Sequence, residues 1–240
     1  MASHRLQRIL ARAMTLGNAL VLLALVGVLS LSAYGAEAAQ PDSRLQQRLD
    51  SWPDWQLPAP LPRPGREDLL YPDWFLGNWQ VNASDGESYG VRFIASPAGV
   101  VGDRAFNAAA VGAAVLGDQL QSVANDPTNP NRQIARLRLP SGDQLELEST
   151  VVGRRRENNS SDDLLVDELA LQVMHGGGDV AVSRVETLSR FHRLEPDRIA
   201  AKQWQATYPS PAEGLRVRAR STNQLSLTLQ RVESPADRAS

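Results

Sequence analysis

The sequence predicts a mainly β protein: an antiparallel β-barrel of about 8–10 strands with one inserted α-helix and an N-terminal proline-rich arm. Three observations lead there. Short runs of alternating apolar and polar residues follow one another from Asn78 to Glu233, each bounded by turn residues. One alanine-rich, proline-free run, 103–123, breaks that rhythm with helical spacing. Five prolines, Pro53, Pro58, Pro60, Pro62 and Pro64, forbid helix in the stretch before the first strand.

The chain is 240 residues long and 42% apolar, enough for a single packed domain. Its first 38 residues read as an export signal. Arg5, Arg8 and Arg12 form the positive region, Ala19 to Leu29 the apolar core, and Ala36-Glu37-Ala38 the small-residue site with cutting expected after Ala38. The apolar run is shorter than the roughly 20 residues a spanning helix needs, so the membrane enters only through this segment if it stays uncleaved. Removing it takes away three arginines and one glutamate and moves the net charge from −2 to −4. That balance does not point to a nucleic-acid partner, for which a clustered basic surface is expected. With no cysteine there is no disulfide and no thiolate metal site.

In chain order, 39–70 is expected to hold a helical turn and the arm. Leu45, Leu49 and Trp52 share one helical face; Trp52, Trp55, Leu57 and Leu61 are apolar anchors that either wrap the domain or dock a partner. The barrel domain is placed at 71–233, with 234–240 a disordered tail. Asn78–Ala83 and Ser88–Ala95 form a first hairpin across Ser84-Asp85-Gly86-Glu87, and a second pairs the runs around Pro140-Ser141-Gly142-Asp143. Strands are expected at Leu164–His175, Val180–Leu194, Gln203–Tyr208, Leu215–Ser221 and Leu225–Glu233, the last two joined by a turn at Ser221-Thr222-Asn223-Gln224. Gly153 to Asp163 reads as a disordered loop.

The stretch Tyr71-Pro72-Asp73-Trp74-Phe75-Leu76-Gly77-Asn78-Trp79 carries a Gly-x-Trp step at the first barrel strand. It resembles the signature of the lipocalin and fatty-acid-binding superfamily, so the barrel is expected to be calycin-like. The resemblance implies structural roles for Trp74, Gly77 and Trp79, with the late Arg231 stacked on the Trp79 ring. A wider set of motifs, Trp52-Pro53-x-Trp55, Tyr71-Pro72-x-Trp74-Phe75-x-Gly77-x-Trp79, Asp103-Arg104-x-Phe106-Asn107, Asn129-Pro130-Asn131-Arg132, Glu186-Thr187 and Gln203 to Tyr208, resembles an uncharacterised family of exported proteins of cyanobacteria and chloroplasts. That family carries no assigned activity. The resemblance implies the thylakoid lumen or periplasm and a photosynthetic setting.

Candidate binding residues bracket the helix. Arg104, Asn107, Asn131 and Arg132 could line one polar pocket at the barrel mouth; equally, Asp103 and Asn107 could cap the helix while Asn129-Pro130-Asn131 makes a turn. On the strand Val180–Leu194, Arg184, Glu186, Leu188, Arg190 and His192 share a face that reads as solvated, opposite Val185, Thr187, Ser189 and Phe191. No nucleophile elbow, phosphate loop or zinc motif is present, so no catalytic residue, cofactor or metal is expected. An enzyme would need a cleft with convergent titratable groups, such as Arg104, Glu186 and His192. The expected role is a non-catalytic exported accessory protein that binds a small apolar or pigment-like ligand in a barrel lined by Val91, Phe93 and neighbours. The alternative is a filled barrel that serves as a protein-interaction or assembly factor.

Overall fold

The computed structural model describes residues 43–232, so the export signal, residues 39–42 of the arm region and the expected tail lie outside the described residues. Helix α1 is Arg44–Asp50. Strands follow at Leu70–Tyr71 (β1), Gly77–Ala83 (β2), Ser88–Ser96 (β3) and Gly99–Gly102 (β4), then helix α2 at Arg104–Leu116. After it come Leu120–Asp126 (β5), Asn129–Arg138 (β6), Gln144–Asn158 (β7), Asp163–Gly176 (β8), Asp179–Glu195 (β9), Arg198–Tyr208 (β10) and Ser221–Val232 (β11). All eleven strands form one antiparallel sheet in the order β1-β4-β3-β2-β11-β10-β9-β8-β7-β6-β5.

The sheet curls until distant strands meet. Val91 and Phe93 of β3 share one apolar cluster with Leu164 and Val166 of β8 and Phe191 of β9, although four strands separate β3 from β8 in the sheet. The Tyr71 and Phe191 rings come within 6.4 Å of each other from β1 and β9. Closure stops short of a barrel. The end strands β1 and β5 do not pair with each other, and α2 lies across the opening against β3 and β5. The architecture is therefore a half-barrel with a helix in its gap.

Several local expectations change. The helix is shorter than 103–123: it ends at Leu116, where Gly117 turns at φ +54°, a left-handed conformation glycine adopts freely. Leu120–Asp126 then pairs with β6: Leu120 and Val123 keep helical spacing with Leu116, but the strand partner decides their backbone. Gly153–Asp163 is mostly strand, with β7 running to Asn158, since Arg154 and Arg155 find partners that a loop would lack. Asn129–Arg132 opens β6 and is no turn. Leu215–Ser221 makes only an isolated bridge, Arg218 to Gln56, and Ser221 to Gln224 belong to β11, paired with β10.

A second apolar layer covers the convex face. Leu45 of α1, with Trp55 and Leu57, packs on Leu165 of β8, Leu188 of β9 and Tyr208 of β10. Residues 51–61 run over this face in irregular backbone, and 62–69 continue to the concave side, where Asp68 meets Arg104 and Leu69 joins the inner core. The Leu57 N–H donates to the Val217 carbonyl at 2.8 Å, Ala219 to Trp55 at 3.0 Å and Arg154 to Pro62 at 2.8 Å. A Cβ on Gly153 would sit 3.0 Å from the Leu61 Cβ, so the glycine admits the crossing segment. The same layer corrects the reading of β9: Glu186 and Leu188 are fully buried under α1, and the face is wet only toward Arg190 and His192.

At the narrow end, Trp79 is buried and its indole N–H donates to the Phe75 carbonyl at 2.6 Å. The Arg231 guanidinium lies 4.4 Å from the Trp79 ring centre and donates to the Trp74 carbonyl at 2.9 Å and to that of Leu76. Trp74 stacks on Phe75, and its own N–H reaches the Ser161 carbonyl at 3.0 Å. Gly77 adopts φ +118°, and a Cβ there would stand 2.8 Å from Arg231 Nη1. Gly77→Ala is expected to destabilise by about 1–3 kcal/mol through backbone strain, with further loss if Arg231 leaves the ring. Chemical denaturation followed by tryptophan fluorescence measures it.

Candidate functional site

The polar side chains inside the half-barrel gather under the first turn of α2. Asp103 caps that helix by accepting from the Phe106 N–H at 3.3 Å, which fixes where Arg104 and Asn107 point. Arg104 donates to Asp68 Oδ1 at 2.7 Å and to Glu168 Oε1 at 3.1 Å. Arg154 of β7 reaches the same Glu168 oxygen at 2.6 Å, the Glu67 carbonyl at 2.9 Å and Asn131 Oδ1 at 2.6 Å. Glu168 of β8 thus bridges two arginines from two elements.

Electrostatics follow from that arrangement. Burial alone would raise the Glu168 carboxyl, but Arg104 and Arg154 outweigh it and hold it down to about 2. Burial lowers the Arg104 guanidinium, yet Glu168 and Asp68 more than compensate and leave it raised. The Tyr71 hydroxyl, nearby, is pushed up by burial and by Glu168. Two buried cations face two carboxylates, so the network is neutral. Neither guanidinium is left free to hold an anionic ligand.

The four expected binding residues divide. Arg104 and Asn107 line a cavity of about 60 Å³ together with Tyr71, Gln133, Ser149 and Glu168. Asn107 spends its amide on the backbone of Arg92, accepting from its N–H at 2.7 Å and donating to its carbonyl at 3.0 Å, so it ties α2 to β3. Asn131 is buried beside Arg154 and donates to the Gly65 carbonyl at 3.2 Å. Arg132 points to the opposite face of β6, where it pairs with Glu148 and lies 3.5 Å from Asp126. Its side chain cannot join the others because neighbours in a strand alternate sides.

Sequence reasoning missed Arg154, Glu168 and Asp68. Arg154 stood in an arginine triplet that reads as a loop, and Asp68 in a segment without periodicity. Glu168 was legible only as one position of a strand; its inward phase, shared with Leu164, Val166 and Ala170, is the signal that could have found it.

Arg104, Glu186 and His192 do not converge. Arg104 is on the concave side, whereas Glu186 and His192 project from the convex face of β9. His192 lies 3.1 Å from Asp163, and His175 lies 3.3 Å from Glu148. Among the described residues no group of three or more His, Cys, Asp or Glu is placed to hold a metal ion. No helix among them is long and apolar enough to cross a membrane.

Residues 82–233 match the family model of a domain of unknown function, DUF6816. The chain belongs to the DUF6816 family. The match begins inside β2 and runs just past β11, so it takes in the Glu168 network except Asp68, and it includes Arg231. Gly77, Trp79, α1 and residues 51–69 precede the matched DUF6816 region. No curated protein matches the chain, and no solved structure does.

Proposed function

We propose that this DUF6816 protein is a non-catalytic, exported accessory or assembly factor that acts by binding another protein through its surface, on a filled, calycin-like half-barrel. One observation carries this reading: the cavity beneath α2 measures about 60 Å³, far below the roughly 300–1,000 Å³ of sites that enclose drug-sized ligands. Val91 and Phe93, the expected ligand lining, are buried among core side chains. Its wall mixes the already paired Arg104 and Glu168 with apolar side chains such as Val151 and Val185. The Arg231 contact with Trp79 at 4.4 Å supports calycin-like ancestry for the sheet. The signal pattern of residues 1–38 supports export, and the motif resemblance supports a thylakoid-lumen or periplasmic location near photosynthetic membranes.

Native purification followed by mass spectrometry tests the proposal. The expected result is a protein partner in stoichiometric amount and no stoichiometric small molecule. A one-to-one apolar or pigment-like molecule retained by the purified chain would overturn it in favour of a carrier.

A further inference from the structure

Beneath α1, on the convex face, five polar groups are enclosed together. Arg48 of α1 donates from Nε to Glu186 Oε1 and from Nη2 to Glu186 Oε2, each at 2.7 Å. The Tyr208 hydroxyl donates to Glu186 Oε2 at 2.5 Å, and Arg48 also reaches the Gln56 carbonyl at 3.2 Å. Trp55 closes the side: its ring lies 4.7 Å from the Arg48 guanidinium, and its N–H donates to the Arg48 carbonyl at 2.7 Å. Asp167 of β8 completes the group. It is 0% exposed, and no donor reaches either of its carboxylate oxygens.

A buried carboxylate without a donor is costly to ionise. Burial, followed by the charge and hydrogen-bonding contact of Glu186, raises Asp167 well above the usual carboxylate range, with Arg48 opposing. One guanidinium faces two carboxyl groups, and a proton on Asp167, shared toward Glu186, balances the set. The groups that cover it belong to a short element. A helix of seven residues is not stable alone; α1 is held by Leu45, by Arg48 and by Glu157, which accepts from the Ser43 hydroxyl at 2.6 Å and the Leu45 N–H at 3.2 Å. A groove of about 630 Å³ lined by Arg44, Gln47, Arg48, Ser51 and Pro60 brings solvent to the outer side of Arg48.

We propose that Asp167, Glu186 and Arg48 form a proton-operated latch that keeps α1 and residues 51–61 on the convex face while Asp167 is protonated and releases them when it ionises. The inference is independent of the surface-binding role proposed above. The sign follows from linkage. The closed form holds the Asp167 proton more tightly than the open, hydrated form, so docking is strongest below the ordinary aspartate range and weakens as pH rises through the raised value. The other charged or titratable groups facing the cluster are Tyr208 and Arg184 on β10 and β9, Glu168 from the far side of β8, and Glu157 with Arg155 on β7. D167N leaves all of them in place, and their contributions cancel in its comparison with wild type.

Hydrogen exchange of the full chain, read by mass spectrometry across pH after correction for intrinsic rates, tests the latch. In wild type the opening of residues 43–61 is expected to increase up to about tenfold per pH unit between the ordinary aspartate range and the raised Asp167 value and to level off above it, while β10 and β11 stay protected. In D167N, whose amide donates to Glu186 at every pH, residues 43–61 are expected to stay protected throughout. Equal pH profiles in the two proteins would overturn the proposal. Should D167N fail to fold, infrared spectroscopy of wild type reads the same proton: a protonated-carboxyl band that persists above the ordinary aspartate range and fades as residues 43–61 open is expected, and its absence where they are protected refutes the latch.

Discussion

Glu168→Gln is expected to destabilise the protein by about 3–5 kcal/mol, the usual result of removing one partner from a buried charge network. Arg104 and Arg154 both lean on one Glu168 oxygen, and the neutral amide leaves two enclosed guanidinium groups facing the single charge of Asp68. The wild-type pH profile provides an independent measure. The Glu168 carboxyl is lowered from 4.5 to about 2 on folding, so its contribution is complete above the ordinary glutamate range and is lost as pH falls through 4.5 toward 2. A drop of that size corresponds to about 3 kcal/mol, in line with the mutational figure. Urea denaturation at a series of pH values reads both effects: wild type should lose stability on acidification, and the variant should start lower and lose less. An unchanged acid slope in the variant would mean that Glu168 is not the group responsible.

Trp79→Ala is expected to destabilise to a similar extent, about 3–5 kcal/mol for loss of a large enclosed aromatic side chain. Trp79 is 1% exposed and fills the narrow end of the half-barrel. Its removal also strips Arg231 of its ring contact, worth about 0.5–2 kcal/mol. A double-mutant cycle with Arg231→Ala separates the two: the coupling is expected to fall in that range, with the remainder assigned to the cavity. Zero coupling would reduce Arg231 to a ligand of the Trp74 and Leu76 carbonyls. If Trp79→Ala proves too unstable to measure, Trp79→Phe keeps the ring and tests the lost indole N–H.

Asp167 and Glu168 are consecutive, yet they are pushed in opposite directions. Strand alternation sends Asp167 to the convex face, among Glu186, Tyr208 and a single arginine, and Glu168 to the concave face between two arginines. The protein should therefore lose stability from Glu168 as pH falls and lose α1 docking from Asp167 as pH rises. Neighbours in sequence carry opposite pH responses because their neighbours in space differ.

Some of this was legible beforehand. The alternation of Leu225, Leu227 and Leu229 located β11 from Leu225 onward but not its start at Ser221, and the Gly-x-Trp step located β2. The Asp103 cap located the start of α2. The end of α2 was not legible, because Leu120 and Val123 keep helical spacing while β6 offers a strand partner. Arg104 and Asn107 were found by their position beside the cap, but Arg132 was assigned to the same pocket although its strand phase turns it away. Glu186 was read as wet because charged residues at alternate positions look alike whether water or another side chain lies beyond them.

By itself the sequence determined the β class and the position of most strands, and it excluded helix from the proline-punctuated stretch 53–64. These depend on period-2 alternation and backbone restriction, which act over a few residues. Only the tertiary structure decided that the sheet stays open with α2 in its gap, and that Glu186 and Asp167 are enclosed. It also decided that Glu168 ties three elements together. Such outcomes rest on partners far apart in the chain, as Arg48 and Glu186 are at 138 positions. Whether a charge can be buried depends on which group meets it after folding.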